Sequence, residues 1–495
     1  PSFRSRLGKS ETWKGNTVSP TNVEKFAAFA QGAITALPPE DVLKETKRIL
    51  LDALGCGLAA TSSEYGRVGV QYGRILGAGG GEATIIGQQD RTSVHGAAFA
   101  NTDLITALDL APINLPAHVA PYALPLSLAL GESRHLSGAR LLSAVSVCLE
   151  MCFRLSKSMD DLRDASDGVP NTPRVFGYAS MVFGLTAAAS MMKDLSESAT
   201  AQALGIAGGT SPVNSLRPWQ MHVPNTTIKY GLGGGIVLTA LTAAFMAELG
   251  HRGNNQMLDD PEFGYPSLVG SKRWEPHGLT ENLGHEWRFP TATSFKPYTQ
   301  TRTSHATLDT VIQVIHEHDI TVDEIDSIVA YGEAWSATVP VYVDTVVEKP
   351  YDAQFSFAHG ISVAAHRIRP GKDWQDPAVV FSDSVLNLMP RVQWRAHPDW
   401  GNAVNGDPLA RPARVEVSAR GKTFIGDRSY PKGSTSPDPT TYTTTEELAI
   451  KFRHNAEGVI TPKAADAVID TIMGLEQVEG LSTLAALLRP EGATR

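Results

Sequence analysis

From Val23 to Ala36 apolar and polar residues recur at helical spacing, and Pro38 and Pro39 end the run. A second helix begins within PPEDVLKETKRILLDALGCGLAA. Pro39 suits a first helical turn, Glu40 and Asp41 suit the positive end of the helix dipole, and Val42, Ile49, Leu50 and Leu54 form an apolar stripe. From Ser93 to Gly250 the text is rich in Ala, Leu and Gly. GARLLSAVSVCLEMCFRLSKSM and GGGIVLTALTAAFMAELG are apolar around most of their circumference, which predicts helices inside a bundle rather than on its surface.

The pattern changes near Gly278. LTENLGHEWRF and IDSIVAYGEAWSATVPVYVDTV read as strands, and ARVEVSARGKTFIGDRSY as a hairpin turning at Ala419-Arg420-Gly421-Lys422. Helices are predicted at ATLDTVIQVIHEH, AQFSFAHGISVAAHRI and TTEELAIKFRHNAEGVI. The expected fold is mainly α with an α+β second domain. Its parts are a disordered tail over 1–20, a helical bundle domain over 21–277 completed by C-terminal helices in 440–495, and an α+β domain over 278–439.

Composition narrows the function. A chain of 495 residues, 42% hydrophobic, is long enough for two or three domains with sizeable cores. Only 19% of residues are charged, and 44 are Gly, which suggests closely packed helices or a large oligomer interface. A net charge of −9 argues against a general nucleic-acid binder, although a local cluster of cations can still take an anionic metabolite. No apolar run is long enough to span a membrane. The start, PSFRSRLGKSETWKGN, lacks an apolar h-region and reads as a tail rather than a secretory signal. A cytoplasmic location is expected, or a mitochondrial one if that start is the remnant of a presequence.

Cys56, Cys148 and Cys152 make no disulfide framework; Cys148 and Cys152, one helical turn apart, read as small buried residues rather than a metal pair. GAGGGEATIIG lacks the GK[ST] ending of a phosphate loop and reads as a turn before a short strand. No metal motif is present, so no metal or other cofactor is expected.

Three stretches carry candidate chemistry. TSFKPYTQTRTSH packs Lys296, Tyr298, Arg302 and His305 into thirteen residues. It is either a solvated basic loop or a group converging on an anion, with Thr303 or Ser304 capping the following helix and Arg302 able to clamp a carboxylate. Lys229 opens an apolar, glycine-rich helix, where it either snorkels to water or faces a cleft that lowers its pKa. LDLAPINLPAHVAP holds Asp109 and His118 in a Pro-rich turn, where a structural histidine is the default reading.

In order along the chain, SVHGAAFANTDLITALD, ALGIAGG, IKYGLGGGIVLTALTAAFMA, LGHEWRFPTATSFKPYTQTRTSHATLD, PYDAQFSFAHGISVA and SYPKGSTSPDPTTYTTTEELAIKF resemble the MmgE/PrpD family. Each stretch is weak alone; the ordered set is specific. The resemblance implies a large helical domain, a smaller α+β lid, an active site in the cleft between them and a homodimer. It also implies a small carboxylate substrate, with no cofactor, nucleic acid or membrane.

Within the family's pattern, Lys229 matches the active-site lysine, and His305 the histidine closing the Lys-Pro-Tyr segment that Lys296 and Tyr298 begin. Asp109 matches the first acid of the Asp-rich turn, and His118 the histidine after it, once one residue is deleted. The catalytic candidates are therefore Lys229, His305, His118 and Asp109. The substrate-binding candidates are Lys296, Tyr298, Arg302, Asn171, Thr172 and His222.

The chain also departs from that pattern. Ala111-Pro112 stands where two further acids are common, and Asn171 or Thr172 where a histidine is usual. His222 and His359 lie off the motif positions. The implied reaction moves a proton at a carbon next to a carboxylate. It is a lyase reaction on a citrate-like di- or tricarboxylate, dehydration or decarboxylation. The alternative is two-base epimerisation, and the third reading is a scaffold that only binds its ligand.

Overall fold

The computed structural model describes residues 19–490 apart from 115, 162, 164, 167, 168, 171, 172, 174–179, 213–215, 230 and 231. Most of the expected tail, together with Asn171 and Thr172, lies outside the described residues.

The first helix, Asn22–Thr35, starts at a capping box: Thr21 accepts from the Glu24 backbone, and the Glu24 carboxylate accepts from that of Thr21. Pro39 stands just before the helix Glu40–Ala59 instead of inside its first turn. Helices Glu64–Leu76, Val94–Thr106, Ala120–Ser133, Gly138–Lys157, Met181–Met192, Glu197–Thr210 and Gly233–Glu248 extend the bundle. Val145, Cys148, Cys152, Val182, Leu185 and Leu241 are wholly buried in its core. Small residues let these helices approach: a Cβ on Gly184 would lie 2.5 Å from the Cys152 sulfur. The C-terminal helix Thr445–Ala456 lies against Glu40–Ala59 and buries Leu448 and Phe452 in the same core. Among the described residues, no helix is long and apolar enough to cross a membrane.

The second lobe is built on a four-stranded sheet in the order Lys422–Arg428, Ala413–Ala419, Ile325–Gly332, Val392–Ala396. Ala413, Val415, Val417 and Ala419 alternate onto a buried face, against which the helix His305–Glu317 packs Leu308, Val311 and Ile315. The hairpin turns where the sequence predicts. Arg420 and Gly421 both have positive φ, 55° and 68°, the mirror-type turn that matches strand twist. The edge strand Val392–Ala396, parallel to Ile325–Gly332, has no counterpart in the sequence reading.

One predicted strand is absent, and a second ends at Gly332. In LTENLGHEWRF, Leu279 and Thr280 close the short helix His277–Thr280, and turns follow. The segment's acceptors are taken by the buried Arg154, whose guanidinium donates to the carbonyls of Glu281 at 2.6 Å and Glu286 at 2.8 Å. Glu150, paired with Arg154 at 2.6 Å, accepts from the backbones of Arg288 and Phe289. The backbone is thus satisfied without a neighbouring strand. Beyond Gly332 the expected strand gives way to the turn Ala334–Ser336 and the helix Pro340–Val343. Pro340 has no N–H for a ladder and suits a first helical position. Trp335, Val341 and Tyr342 bury instead with Trp219, Phe355 and Trp400 in an aromatic cluster.

The two lobes are tied by a short antiparallel pairing of Ile113–Asn114 with Thr293–Ser294. Phe295 then donates to the carbonyl of Gly433 at 2.9 Å. Gly433 has φ 86°, and a Cβ there would fall 1.9 Å from the Phe295 carbonyl oxygen. Gly433→Ala should therefore cost at least about 2 kcal/mol of stability, the left-handed backbone and the clash adding together. Urea unfolding checks this; an unchanged midpoint would contradict it.

Candidate active site

The site starts from a strained backbone. Asp109, just beyond the helix Val94–Thr106, has φ 47°, a left-handed conformation that aspartate tolerates better than most residues. This bend precedes the strand Ile113–Asn114, whose pairing with Thr293–Ser294 brings Lys296 alongside. The Asp109 carboxylate then receives two lysines. Lys229 Nζ is 2.8 Å from Oδ1, and Lys296 Nζ is 2.7 Å from Oδ2. Lys229 lies ahead of the helix Gly233–Glu248 rather than in its first turn. Its ammonium also rests 4.7 Å from the ring centre of Phe355 and 5.6 Å from that of Trp219, within cation–π reach.

Burial alone would push the Asp109 carboxyl up, but Lys229 and Lys296 outweigh it and hold it below the ordinary value. Asp109 is thus ionised. Burial dominates at Lys296, which is 1% exposed, and pulls its ammonium down to about 8 although Asp109 opposes this. His118 is pushed well below the ordinary imidazole value by burial and then by Lys229, so it is neutral.

Asp109, His118 and Lys229 line a cavity of about 430 Å³ between the lobes. The second lobe contributes Thr301, Arg302, Thr303, Trp335, Tyr342 and Arg411 to its wall. Among the described residues, six cations line it, Lys157, Arg163, Lys229, Arg273, Arg302 and Arg411, against two acids, Asp109 and Asp161. The buried Glu333 orders one side. It pairs with Arg411 at 2.7 Å and Arg163 at 3.3 Å, and the indole N–H groups of Trp335 and Trp400 each donate to it at 2.9 Å. Burial raises the Glu333 carboxyl, but Arg163 and Arg411 outweigh it and keep it below the ordinary range.

His305 does not line this cavity. Its ring is fully buried: Nε2–H donates to the Gln300 carbonyl at 2.9 Å, and Nδ1 accepts from Arg302 at 3.0 Å. Burial, Arg302 and Lys296 push it well below the ordinary imidazole value. With both nitrogens engaged, it orients Arg302 rather than meeting a ligand. Arg302 itself donates to the Lys432 carbonyl at 2.8 Å and to Ser434 Oγ at 2.7 Å while facing the cavity. Burial and the neighbouring Arg411 push it below the usual guanidinium value, an arrangement that an incoming anion relieves.

Ser304 occupies the helix cap position, but no side-chain cap bond forms; its hydroxyl donates to the Thr301 carbonyl. Tyr298 is buried on Trp374 and donates to Asp309 at 2.6 Å, away from the cavity wall. His222 is exposed and also off that wall.

Arg163, Arg411 and Glu333 escaped the sequence reading. A faint signal exists for Glu333, an acid directly after the apolar strand IDSIVAYG and two residues before Trp335.

A helical bundle and an α+β lobe enclosing a cation-lined cavity define the architecture. The profile of the MmgE/PrpD N-terminal domain matches residues 24–277, and that of the C-terminal domain matches 298–477. The chain belongs to the MmgE/PrpD family. It is 26% identical over 501 residues to cis-aconitate decarboxylase of Homo sapiens, covering 94% of each chain. It is 25% identical over 490 residues to the enzyme of that name from Mus musculus, covering 94% of this chain and 93% of the relative. Identity to the cis-aconitate decarboxylase-like protein oryM of Aspergillus oryzae (strain ATCC 42149 / RIB 40) is 24% over 483 residues, covering 92% of this chain and 94% of the relative.

Glu333→Gln should destabilise the fold by about 3 kcal/mol, because two inward-facing guanidinium groups lose their shared charge. Thermal and urea unfolding measure this. A loss below about 0.5 kcal/mol would show that the anchor carries little weight.

Proposed function

We propose that the chain is a lyase that decarboxylates a small unsaturated tricarboxylate, with cis-aconitate the first compound to test. The observation that carries this reading is the Asp109 carboxylate, shared by Lys229 in the cavity wall and Lys296 behind it, with six cations among the described lining residues. A tricarboxylate places three negative charges there, and the excess of positive charge suits it.

The chemistry follows from where charge develops. The C–C bond to one carboxylate breaks and leaves as CO2. Its electron pair forms a new double bond, and the former double bond's electrons move toward the carbon beside a second carboxylate. Negative charge grows on that carboxylate's oxygens until the carbon is protonated. In this reading Arg302 and Arg411 bind the carboxylates and stabilise that charge. Lys229, the cavity-facing amine, delivers the proton, and Asp109 with Lys296 behind it holds Lys229 in place. His118 is a neutral hydrogen-bond donor at the same wall.

The test is proton NMR of the purified protein with cis-aconitate. A vinylidene product in the spectrum, with one equivalent of CO2 per product in a coupled CO2 assay, supports the reading. Solvent deuterium entering cis-aconitate without net product would show proton exchange without decarboxylation, as the two-base reading requires, and binding without turnover would leave a binding scaffold. Lys229→Ala should lower kcat at least about 100-fold, the ordinary range for losing a positioned acid. An unchanged kcat would remove Lys229 from the chemistry.

The pH profile is a further check. Burial favours the neutral amine of Lys296, so its ammonium is lost near pH 8. Asp109 then keeps one cation instead of two. Hence kcat/KM should be level below about pH 7 and fall through about pH 8; a fall beginning only near pH 10, the ordinary lysine value, would contradict this.

A further inference from the structure

Lys451 belongs to the TTEELAIKF stretch near the C-terminus and sits on the helix Thr445–Ala456. It lines neither the cavity nor the Asp109 cluster. Its ammonium nevertheless reaches three groups. Asp52 Oδ1, on the helix Glu40–Ala59, is 2.6 Å away. The carbonyl oxygen of Lys296 accepts at 2.8 Å, and that of Leu110 at 3.2 Å. An ammonium has three N–H donors, and here three acceptors surround it. Two of those acceptors belong to the main chain of Lys296 and to the residue directly after Asp109.

This placement extends the pairing of Ile113–Asn114 with Thr293–Ser294. That pairing ties the two segments on one side of the Asp109–Lys296 bridge. Lys451 ties them again at Leu110 and Lys296. Asp109 and Lys296 are 187 positions apart in the chain, and their 2.7 Å contact needs both main chains held. Asp52 is 1% exposed and pairs with the clamp: burial raises its carboxyl above the ordinary value, and Lys451 opposes that rise. An apolar side chain at position 451 would leave the two carbonyls without this donor.

We propose that Lys451 is a positioning residue, clamping the carbonyls of Leu110 and Lys296 to one ammonium so that the Lys229–Asp109–Lys296 cluster is assembled before substrate arrives. Its kinetic consequence rests on the decarboxylase reading; its geometric consequence does not.

The experiment pairs kinetics with crystallography on Lys451→Met. Because that change leaves Asp52 as a lone buried charge, the double variant Asp52→Asn/Lys451→Met, which removes both charges, is made alongside it. With cis-aconitate, the folded variant should lose about 30-fold in kcat with KM moving less than about threefold. The alkaline limb of its pH profile should shift by at least about half a unit. In the crystal, at least one of the two Asp109 contacts should open beyond about 3.5 Å. Lys451→Arg, which keeps charge and donors, should retain at least about a tenth of the parent kcat.

A folded variant with the parent's kcat and pH profile, or with only a raised KM, or with both Asp109 contacts intact, would overturn the proposal. Should the parent not decarboxylate cis-aconitate, the functional reading fails by itself, and the crystallographic distances alone decide the role of Lys451.

Discussion

One carboxylate neutralising two ammonium groups is the interaction on which the site depends. Lys229 and Lys296 both meet Asp109, from segments of the chain far apart in sequence. Two buried ammonium groups this close repel each other, and each has lost much of its hydration. A single carboxylate between them offsets both penalties and leaves one net positive charge at the cavity wall. The left-handed backbone of Asp109, φ 47°, is the local distortion that turns the carboxylate toward both partners.

The same logic continues across the cavity. Glu333 holds Arg163 and Arg411 as Asp109 holds its two lysines, and two indole N–H groups satisfy its remaining lone pairs. Each lobe therefore supplies a buried acid that organises a pair of cations. Glu333 lies behind its two arginines, Asp109 shares the wall with Lys229, and cations outnumber acids among the described lining residues, so a small polyanion completes the charge balance. His305 serves this arrangement from outside, holding Arg302 by its Nδ1 while Nε2–H is spent on the Gln300 carbonyl.

What could be read from the sequence follows physical locality. The bundle helices were legible because apolar residues cover nearly their whole circumference, and the hairpin because Arg420-Gly421 can turn with positive φ. The strand Val392–Ala396 was not, since it lies at the sheet edge with little burial to impose alternation. The segment before Phe289 looked like a strand because its partner, Arg154, lies over a hundred residues away. Lys229, Lys296, Asp109 and Arg302 were recognisable one by one, from odd charges in apolar text and from the family resemblance. Their convergence was legible only through that resemblance, because folding alone brings them together. His305 carried the right motif, yet both its nitrogens are taken by neighbours that no motif records. Arg163 and Arg411 had no local signal at all: an arginine near a strand or loop is ordinary until a buried glutamate is found behind it.

A cavity built this way should count carboxylates. Calorimetric titration with propane-1,2,3-tricarboxylate, which has no double bond, isolates binding from chemistry; propane-1,3-dicarboxylate is the partner that lacks one charge. The account predicts that the tricarboxylate binds at least about tenfold more tightly, about 1.4 kcal/mol, with an affinity that weakens as salt is added. Equal affinity for the two acids, indifferent to salt, would contradict it.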